Sequence, residues 1–263
     1  MEKEEEHITL NVKDLAVGYS SKKEKTIIAN NINFNLYEGE FTAIIGANGI
    51  GKSTLLRTLG TIQPSLSGEI DLNDQAIEKY NPLTLAAKIS LVLTEPIAAK
   101  SMTVIELVAL GRSPYTNWLG TLTETDTAII EKSIKQVELN TLRNKKCNEL
   151  SDGQLQRVMI ARALAQDTAI ILLDEPTTHL DLYHKVQILK LLKTIAKETK
   201  KTIVFTTHEI EMAIQMTDKI LILDNDSNPF GSPKTLIREK SFEKLFPADT
   251  VVFNADTNSF KIR

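Results

Sequence analysis

The sequence predicts an α/β fold with a mostly parallel core sheet and an inserted block of helices. Three short apolar runs, at 169–174, 202–207 and 219–224, are of the type that forms fully buried parallel strands. A helical pattern over 182–200 separates the first two runs, as expected for a parallel sheet covered by helices. Residues 101–166 contain no convincing strand. They therefore predict a helical subdomain inserted between the two α/β halves.

The N-terminal third is predicted to be mainly sheet. Apolar and polar residues alternate over 8–19 and 32–36, with the period of half-buried strands. A turn then precedes a further strand at 41–45. This strand leads into a glycine-rich loop and a helix that we expect to end at Gly60.

The insert and the tail show local start signals. The insert is expected to hold helices at 103–111, 123–139 and 151–166, the last with Ser151 as its N-cap. In the tail, Ser232 followed by proline predicts a helix start, and the segments VVF and SFKI predict two short terminal strands.

Composition excludes several classes of protein. The chain has 263 residues and a formal charge of −3, from 31 Lys and Arg against 34 Asp and Glu, which argues against a strongly basic nucleic-acid binder. No apolar run approaches the roughly 20 residues of a membrane-spanning helix, and the charged start MEKEEEH does not resemble a signal sequence. We therefore expect a cytosolic chain. The single cysteine, Cys147, is expected to be a buried thiol without a disulfide or zinc role.

Residues 46–54, GANGIGKST, fit the phosphate-loop pattern G-x-x-x-x-G-K-[ST]. Glycines allow successive backbone N–H groups to turn towards phosphate oxygens, and the following helix presents its positive end. Lys52 could reach the β and γ phosphates, and the Ser53 hydroxyl could bind Mg²⁺. The predicted nucleotide-binding residues of this loop are Gly46, Ala47, Asn48, Gly49, Ile50, Gly51, Lys52, Ser53 and Thr54.

Two carboxylates follow a predicted buried strand. A phosphate loop needs a carboxylate that holds the metal from an adjacent strand end, and Asp174 stands at such an end. Glu175 follows it and could accept a proton from the water that attacks the γ-phosphate. The alternative is that these residues and Pro176 only cap the strand and begin a turn.

His208 follows the strand at 202–207, at the carboxyl end where ligand sites collect in open α/β sheets. It could reach the γ-phosphate, although a structural role is the alternative for a lone histidine. The other histidines lack this context and are predicted to be surface or loop residues: His7, His179 and His184.

Taken in order, these motifs resemble those of the ATP-binding cassette (ABC) ATPases. GANGIGKST is followed by LSDGQ at 150–154, then IILLDEP, THLD and a TTH segment that ends at His208. LSDGQ is similar to the family signature LSGGQ. The resemblance covers roughly residues 8–240 and implies an ABC-type P-loop NTPase with an N-terminal antiparallel β subdomain. It divides the chain into an ATPase domain, 1–240, and a C-terminal extension, 241–263.

The resemblance also implies roles for residues outside the phosphate loop. In this family two cassettes enclose two ATP molecules, each between the phosphate loop of one subunit and the signature of the other. Ser151, Gly153 and Gln154 would therefore act on the partner's ATP. Tyr19 looks like the aromatic residue that stacks on adenine, the alternative being a strand-end tyrosine that faces core or solvent. Asp181 looks like the aspartate that links the two sites.

The chain departs from the family pattern at two positions. The family usually has a glutamine after the strand predicted at 88–93, where this chain has Thr94 followed by Glu95. We expect Thr94 to contact Mg²⁺ through a water and Glu95 to face the membrane partner; the opposite assignment, with Glu95 on Mg²⁺, stays open. Asp152 replaces the usual signature glycine and is expected to point away from the γ-phosphate, which would repel it.

The stretch TVIELVALGRSPYTNWLG at 103–120 resembles the helical subdomain of importers for iron-siderophore complexes, haem and cobalamin. The resemblance implies an ATPase subunit that uses ATP and Mg²⁺, pairs with a second copy of itself and binds permease subunits at the cytoplasmic face of the membrane. A solute-binding protein would be an indirect partner. The main alternative is a soluble non-transport ABC ATPase of the iron–sulfur assembly type. An ABC protein of DNA or ribosomes, a non-hydrolysing module and an exporter fit the sequence less well.

Overall fold

The computed structural model describes residues 7–21, 24–94, 101–224, 226–247 and 249–263. Its strands are β1 (Ile8–Ser20), β2 (Lys25–Tyr37), β3 (Phe41–Gly46), β4 (Ser67–Leu72), β5 (Gln75–Ala76), β6 (Ile89–Val92), β7 (Ile170–Leu173), β8 (Thr202–Thr206), β9 (Lys219–Leu223), β10 (Phe230–Gly231), β11 (Val251–Asn254) and β12 (Ser259–Ile262). Its α-helices are α1 (Lys52–Leu59), α2 (Pro82–Ala86), α3 (Val104–Ala109), α4 (Glu124–Gln136), α5 (Asp152–Ala165), α6 (Leu182–Thr199), α7 (Ile210–Met216) and α8 (Pro233–Arg238).

The N-terminal strands form an antiparallel sheet in the order β2-β1-β4-β5. Their alternating residues bury one face, where Leu10 and Val12 of β1 pack in the same cluster as Leu55 of α1 and Leu172 of β7. The prediction of an N-terminal antiparallel β subdomain is confirmed. Strand β2 begins earlier than the predicted 32–36 because its first residues continue the pairing with the end of β1.

The core sheet has the order β10-β9-β3-β8-β7-β6. Strands β9, β3, β8, β7 and β6 are parallel, and only the short β10 is antiparallel to its neighbour. Strands β3, β7 and β8 are buried along their whole length, which explains their continuous apolar sequences. Parallel strands bring their carboxyl ends to one edge, where Gly46 ends β3 and where Thr94, Asp174 and His208 come shortly after the ends of β6, β7 and β8.

Helices α3, α4 and α5 form the inserted subdomain, as predicted. Each begins with a capping box, in which the N-cap side chain and the third helical residue satisfy each other's backbone N–H groups. The helix predicted at 103–111 ends at Ala109, and Leu110–Tyr115 continue as a 3₁₀ segment that contains Pro114. Proline lacks the N–H that a longer α-helix would use. Cys147 is buried as expected, and this burial raises the pKa of its thiol.

The tail packs against the core. Helix α8 begins at its predicted Ser232 cap, and the two predicted terminal strands, β11 and β12, pair as an antiparallel hairpin. Phe242 and Phe253 are buried in the main cluster, and the Phe260 N–H donates to Glu211 Oε1 on α7 at 2.9 Å. The boundary between 1–240 and 241–263 stays a prediction. Among the helices of the described segments, none has the length and apolar character needed to cross a membrane.

Candidate active site

The phosphate loop between β3 and α1 needs glycine at three positions. Gly46, Gly49 and Gly51 have φ values of 148°, 78° and 109°. A Cβ on Gly46 would lie 2.6 Å from the Leu223 carbonyl oxygen, and one on Gly51 would lie 2.6 Å from Ile28 Cγ2. The loop therefore owes its shape to these glycines, because a side chain would be strained at all three positions and also obstructed at Gly46 and Gly51.

Lys52, at the start of α1, lies inside this loop. Its Nζ donates to the carbonyl oxygens of Gly46 at 2.9 Å and Ala47 at 3.1 Å. Burial lowers the pKa of Lys52, and the nearby Glu175 and Asp174 act in the opposite direction. The loop thus holds a cation close to both carboxylates.

Asp174, directly after β7, is the centre of a hydrogen-bonded group that joins β7 to β8 and to the start of α1. Its Oδ1 accepts from Ser53 Oγ at 2.9 Å and from Thr206 Oγ1 at 2.7 Å. The Thr206 hydroxyl in turn accepts from the Glu175 N–H at 2.8 Å. The side chain of Asp174 is buried, so these bonds fix both its position and the start of the Glu175 segment.

The donor set at Asp174 fits Mg²⁺. Ser53 Oγ and Asp174 Oδ1 are hard oxygen ligands, and their 2.9 Å separation would let one ion contact both. Mg²⁺ commonly takes only one or two protein oxygens and completes its shell with substrate phosphates and water. Within the described ranges, no group of three or more His, Cys, Asp or Glu residues could hold a metal, so a metal here would depend on the nucleotide for most of its ligands.

Glu175 and His208 meet at the same edge of the sheet. Glu175 has a φ of 45°, in the left-handed region, and its Oε2 accepts from Thr178 Oγ1 at 2.9 Å. His208 Nδ1 lies 3.7 Å from Glu175 Oε2, and His208 Nε2 lies 3.4 Å from Glu209 Oε1. The imidazole is half exposed, so it stands at the border between the carboxylate and solvent.

Tyr19, at the end of β1, lies beside the phosphate loop. Its ring is 55% exposed, and its hydroxyl is 3.3 Å from Thr54 Oγ1. Together with Glu175 it lines one pocket whose other walls are Ile28, Asn48, Gly49, Gly51, Lys52, Ser53 and Thr54. An exposed aromatic face next to a phosphate loop is the arrangement that base stacking requires.

The signature segment lies apart from this pocket. The Ser151 N–H donates to Gln154 Oε1 at 3.2 Å, and the Gln154 N–H donates to Ser151 Oγ at 3.4 Å, so the segment caps α5. Ser151 and Asp152 are exposed, whereas Gly153 is buried. None of the residues from 151 to 154 lines the phosphate-loop pocket of the same chain.

Asp181 caps α6, next to the signature segment. Its Oδ1 accepts from the His184 backbone N–H at 2.8 Å, and His184 Nδ1 lies 2.9 Å from each carboxylate oxygen. These hydrogen bonds, first from the backbone and then from the ring, lower the pKa of Asp181. The carboxylate is therefore held ionised at the start of α6.

Thr94, after β6, is bonded to the residue that follows β7. Its Oγ1 donates to the carbonyl oxygen of Asp174 at 2.9 Å, which fixes the threonine beside the end of β7. Glu95, the alternative metal ligand, lies outside the described residues.

Comparison with known proteins identifies the family. The ABC transporter family model matches residues 29–178. The chain belongs to the ABC transporter family. The resemblance seen in its motifs is thus confirmed, and the protein is an ABC ATPase with the ATP-binding domain of that family.

Relatives of the cassette cover most of its length. It is 36% identical to the achromobactin transport ATP-binding protein CbrD of Dickeya dadantii over 238 residues, which cover 90% of this chain and 87% of the relative. It is 36% identical to the iron(3+)-hydroxamate import ATP-binding protein FhuC of Bacillus subtilis over 215 residues, covering 82% and 78%. Among solved structures it is similar to the dimeric post-hydrolysis cassette MJ0796 bound to ADP and Pi, with a TM-score of 0.72 and 31% identity. The match covers 85% of this chain and 98% of that structure.

Three positions of the cassette were missed by sequence reasoning. Thr206 joins the Asp174 carboxylate to the Glu175 backbone N–H, but in the sequence it is one more β-branched strand residue. Thr178 holds the Glu175 carboxylate in place. The sequence signal for this contact is the spacing E-x-x-T, in which the threonine hydroxyl lies three residues after the carboxylate. His184 is exposed, as predicted for a surface residue, but the sequence does not predict its contact with Asp181.

Proposed function

We propose that this cassette hydrolyses ATP to energise an importer, and that its cargo is an iron chelate of the siderophore type. The observation that carries the ATPase assignment is the group formed by Ser53, Asp174 and Thr206 next to the phosphate loop. The names of the two relatives, which specify achromobactin transport and iron(3+)-hydroxamate import, support the cargo class. Haem and cobalamin are the alternative cargoes.

The residues of the pocket and of the adjacent sheet edge have different roles in ATP hydrolysis. The loop N–H groups and Lys52 bind the phosphates, and Tyr19 stacks on the adenine ring. Glu175 accepts a proton from the attacking water, and His208, which lies 3.7 Å from Glu175 at the same edge of the sheet, contacts the γ-phosphate. Mg²⁺, held through Ser53 and Asp174, would supply charge neutralisation at the phosphates.

Thr94 is proposed to act on this ion indirectly. Its hydroxyl hydrogen is used in the bond to the Asp174 carbonyl, which leaves its oxygen lone pairs available to a water. Because that bond links Thr94 to the backbone of Asp174, a displacement of Thr94 would shift the position of Asp174. Glu95 is assigned to the membrane partner.

A second copy of the chain completes the site. Ser151, Gly153 and Gln154 do not line the pocket of their own chain, and Ser151 is exposed at the positive end of α5. A partner copy that placed its signature over the exposed face of Tyr19 and the phosphate loop would enclose the nucleotide. The dimeric state of the related MJ0796 cassette supports this arrangement.

A permease helix is proposed to occupy a groove on a different face. The groove has a volume of about 810 Å³ and is bordered by the end of α1, the segment around α2 and Gln166 after α5. Ile62, which is 57% exposed, lies in its wall. Leu83 of α2, between the wall residues Pro82 and Leu85, is 64% exposed. Gln166 Nε2 donates to the carbonyl oxygens of Ala86 and Ile89, which fixes one wall to the core sheet. An apolar, well-braced groove suits an amphipathic helix. In this proposal the cassette is a peripheral subunit at the cytoplasmic face of the membrane.

The test combines hydrolysis with uptake. Purified cassette should hydrolyse Mg-ATP, and Glu175→Gln should retain ATP binding while turnover falls by about two orders of magnitude or more. Cells in which Glu175→Gln replaces the parental chain should lose uptake of a radiolabelled ferric hydroxamate. Parental rates of hydrolysis in Glu175→Gln would contradict the catalytic assignment.

A second variant tests the permease groove. Ile62→Glu should leave hydrolysis by the isolated cassette unchanged but abolish uptake and co-purification with membranes, because a buried carboxylate would oppose helix docking. The matched control is Ile262→Glu, at an exposed isoleucine near the C-terminus. Normal hydrolysis together with normal iron uptake in a strain that lacks the cassette would favour the non-transport alternative.

A further inference from the structure

The ring of His184 lies between two segments that are distant in sequence. On one side, Nδ1 is 2.9 Å from both carboxylate oxygens of Asp181. On the other side the ring faces Gly153, since a Cβ built on Gly153 would lie 3.2 Å from His184 Cδ2 and 3.6 Å from Cγ. The imidazole thus fills the space between the start of α6 and the start of α5.

The contact with Asp181 determines which ring nitrogen of His184 carries a hydrogen. A carboxylate only accepts hydrogen bonds, so Nδ1 carries a proton and donates. The His184 backbone N–H donates to the same carboxylate, which therefore receives two bonds from one residue. Both side chains are more than half exposed, so burial alone does not hold them together.

The contact with Gly153 depends on the absence of a side chain there. Gly153 is the second residue of α5, within the capping box of Ser151 and Gln154 that holds the first turn. A methyl group at 153 would press on the imidazole, because 3.2 Å is shorter than ordinary van der Waals contact. The first turn of the signature helix and the ring therefore share one packed surface.

We propose that His184 is a positioning residue, which fixes Asp181 and the signature segment 151–154 relative to each other so that they meet the partner cassette as one rigid surface. The inference rests on the proposed function, in which both segments act on the partner's nucleotide. His184 itself does not touch the nucleotide of its own chain, because it is absent from the walls of the phosphate-loop pocket. Its effect is on geometry across the dimer.

Variants of His184 separate its two contacts. His184→Asn keeps an amide donor near the place of Nδ1 but loses the ring, His184→Phe keeps a ring against Gly153 but loses the donor, and His184→Ala loses both. Misplaced reacting groups cost large factors in turnover, so His184→Ala should lower kcat roughly 10- to 100-fold. The Kd for Mg-ATP should change less than about twofold, since the phosphate loop and Tyr19 are unaffected. His184→Asn should recover most of the loss.

A double-mutant cycle with Asp181→Ser tests whether His184 acts through Asp181. Serine preserves the N-cap of α6 but is too short to reach the ring. In the Asp181→Ser background, His184→Ala should cause no further loss of kcat, whereas a general loss of stability would multiply with that of Asp181→Ser. Thermal unfolding of each variant and the exposed control His7→Ala accompany the assay.

Parental kcat in His184→Ala, or full additivity in the cycle, would overturn the inference while leaving the proposed function intact. Failure of His184→Asn to exceed His184→Ala would also contradict the role of the Nδ1 donor. Absence of any turnover in the parental cassette would instead overturn the proposed function, and this inference with it.

Discussion

Arg112 Nε donates to Asp126 Oδ1 at 2.8 Å, and both side chains are almost completely buried. Arg112 also donates from Nη1 to the carbonyl oxygen of Ala165 at 2.9 Å, and its guanidinium lies 3.9 Å from the ring centre of Tyr115. The guanidinium therefore connects the 3₁₀ segment after α3 with the first turn of α4 and the end of α5. The inserted subdomain has an ionic centre as well as an apolar one.

Asp126→Asn should destabilise the fold in a pH-dependent way. Hydrogen bonds from Thr123, and then from Arg112, lower the pKa of Asp126 to about 2, against an ordinary value of 3.8. The stabilisation by the ionised carboxylate is complete above the ordinary value and is lost as the pH falls from there towards 2. We expect Asp126→Asn to cost roughly 3 kcal/mol at neutral pH and clearly less at about pH 3, measured by urea unfolding.

The control for Asp126 is Glu131→Gln, whose ion pair with Arg143 is partly exposed. It should cost less than about 1 kcal/mol. An Asp126→Asn penalty of equal size at both pH values would show that the charge of Asp126 is not what stabilises the subdomain.

Lys52→Ala should abolish hydrolysis mainly through lost phosphate binding. The ammonium is held in the loop by the carbonyls of Gly46 and Ala47, and a methyl group cannot offset the γ-phosphate charge in a partly dehydrated site. Nucleotide affinity, measured by calorimetry, should fall at least about tenfold. Lys13→Ala, at an exposed lysine of β1, should retain parental affinity. Tight nucleotide binding by Lys52→Ala would contradict the assignment.

His208→Ala should keep nucleotide affinity and lose turnover. His208 follows β8 and approaches Glu175 but does not line the pocket that contains Tyr19 and the phosphate loop. We therefore expect a fall in kcat of about two orders of magnitude with little change in Kd. If His208→Ala turns over at the parental rate, the imidazole has only a structural role.

Asp152→Gly should leave hydrolysis within a few-fold of the parental rate. Asp152 is exposed in the first turn of α5, while the neighbouring Gly153 is buried against His184. A carboxylate directed at a γ-phosphate would repel it, so we expect the Asp152 side chain to point away in the dimer. A large gain in the ATPase rate of Asp152→Gly would show that the charge does face phosphate.

Glu95→Gln and Thr94→Val together decide which residue replaces the usual glutamine. Thr94→Val keeps the shape but loses the bond to the Asp174 carbonyl, so the Mg²⁺-dependent ATPase rate of the isolated cassette should fall several-fold. Glu95→Gln should affect only the rate measured with the permease. A marked loss of Mg²⁺-dependent activity in isolated Glu95→Gln would place Glu95 on the ion instead.

Local signals in the sequence were sufficient for much of the fold and of the phosphate site. Ser151 was found as a cap because its partner Gln154 is three residues away, and Asp174 because a strand end is visible in the sequence itself. Thr206 and His184 could not be found in this way. Thr206 bonds Asp174, 32 residues away. His184 bonds the nearby Asp181, but its ring also packs on Gly153, 31 residues away, and only the folded chain brings these segments together. The end of α3 was misplaced because the apolar pattern continues into the 3₁₀ segment.

In the proposed dimer, the separation of the signature segment from its own phosphate loop would set the kinetic order of the reaction. If each nucleotide needs residues from two chains, the turnover per subunit in dilute solution rises with protein concentration, because encounter is bimolecular. Two cassettes anchored on one permease pair would instead meet at an effective concentration on the order of millimolar. Encounter then ceases to limit the rate, and control passes to whatever movement of the permease brings Ser151 of one subunit towards Lys52 of the other.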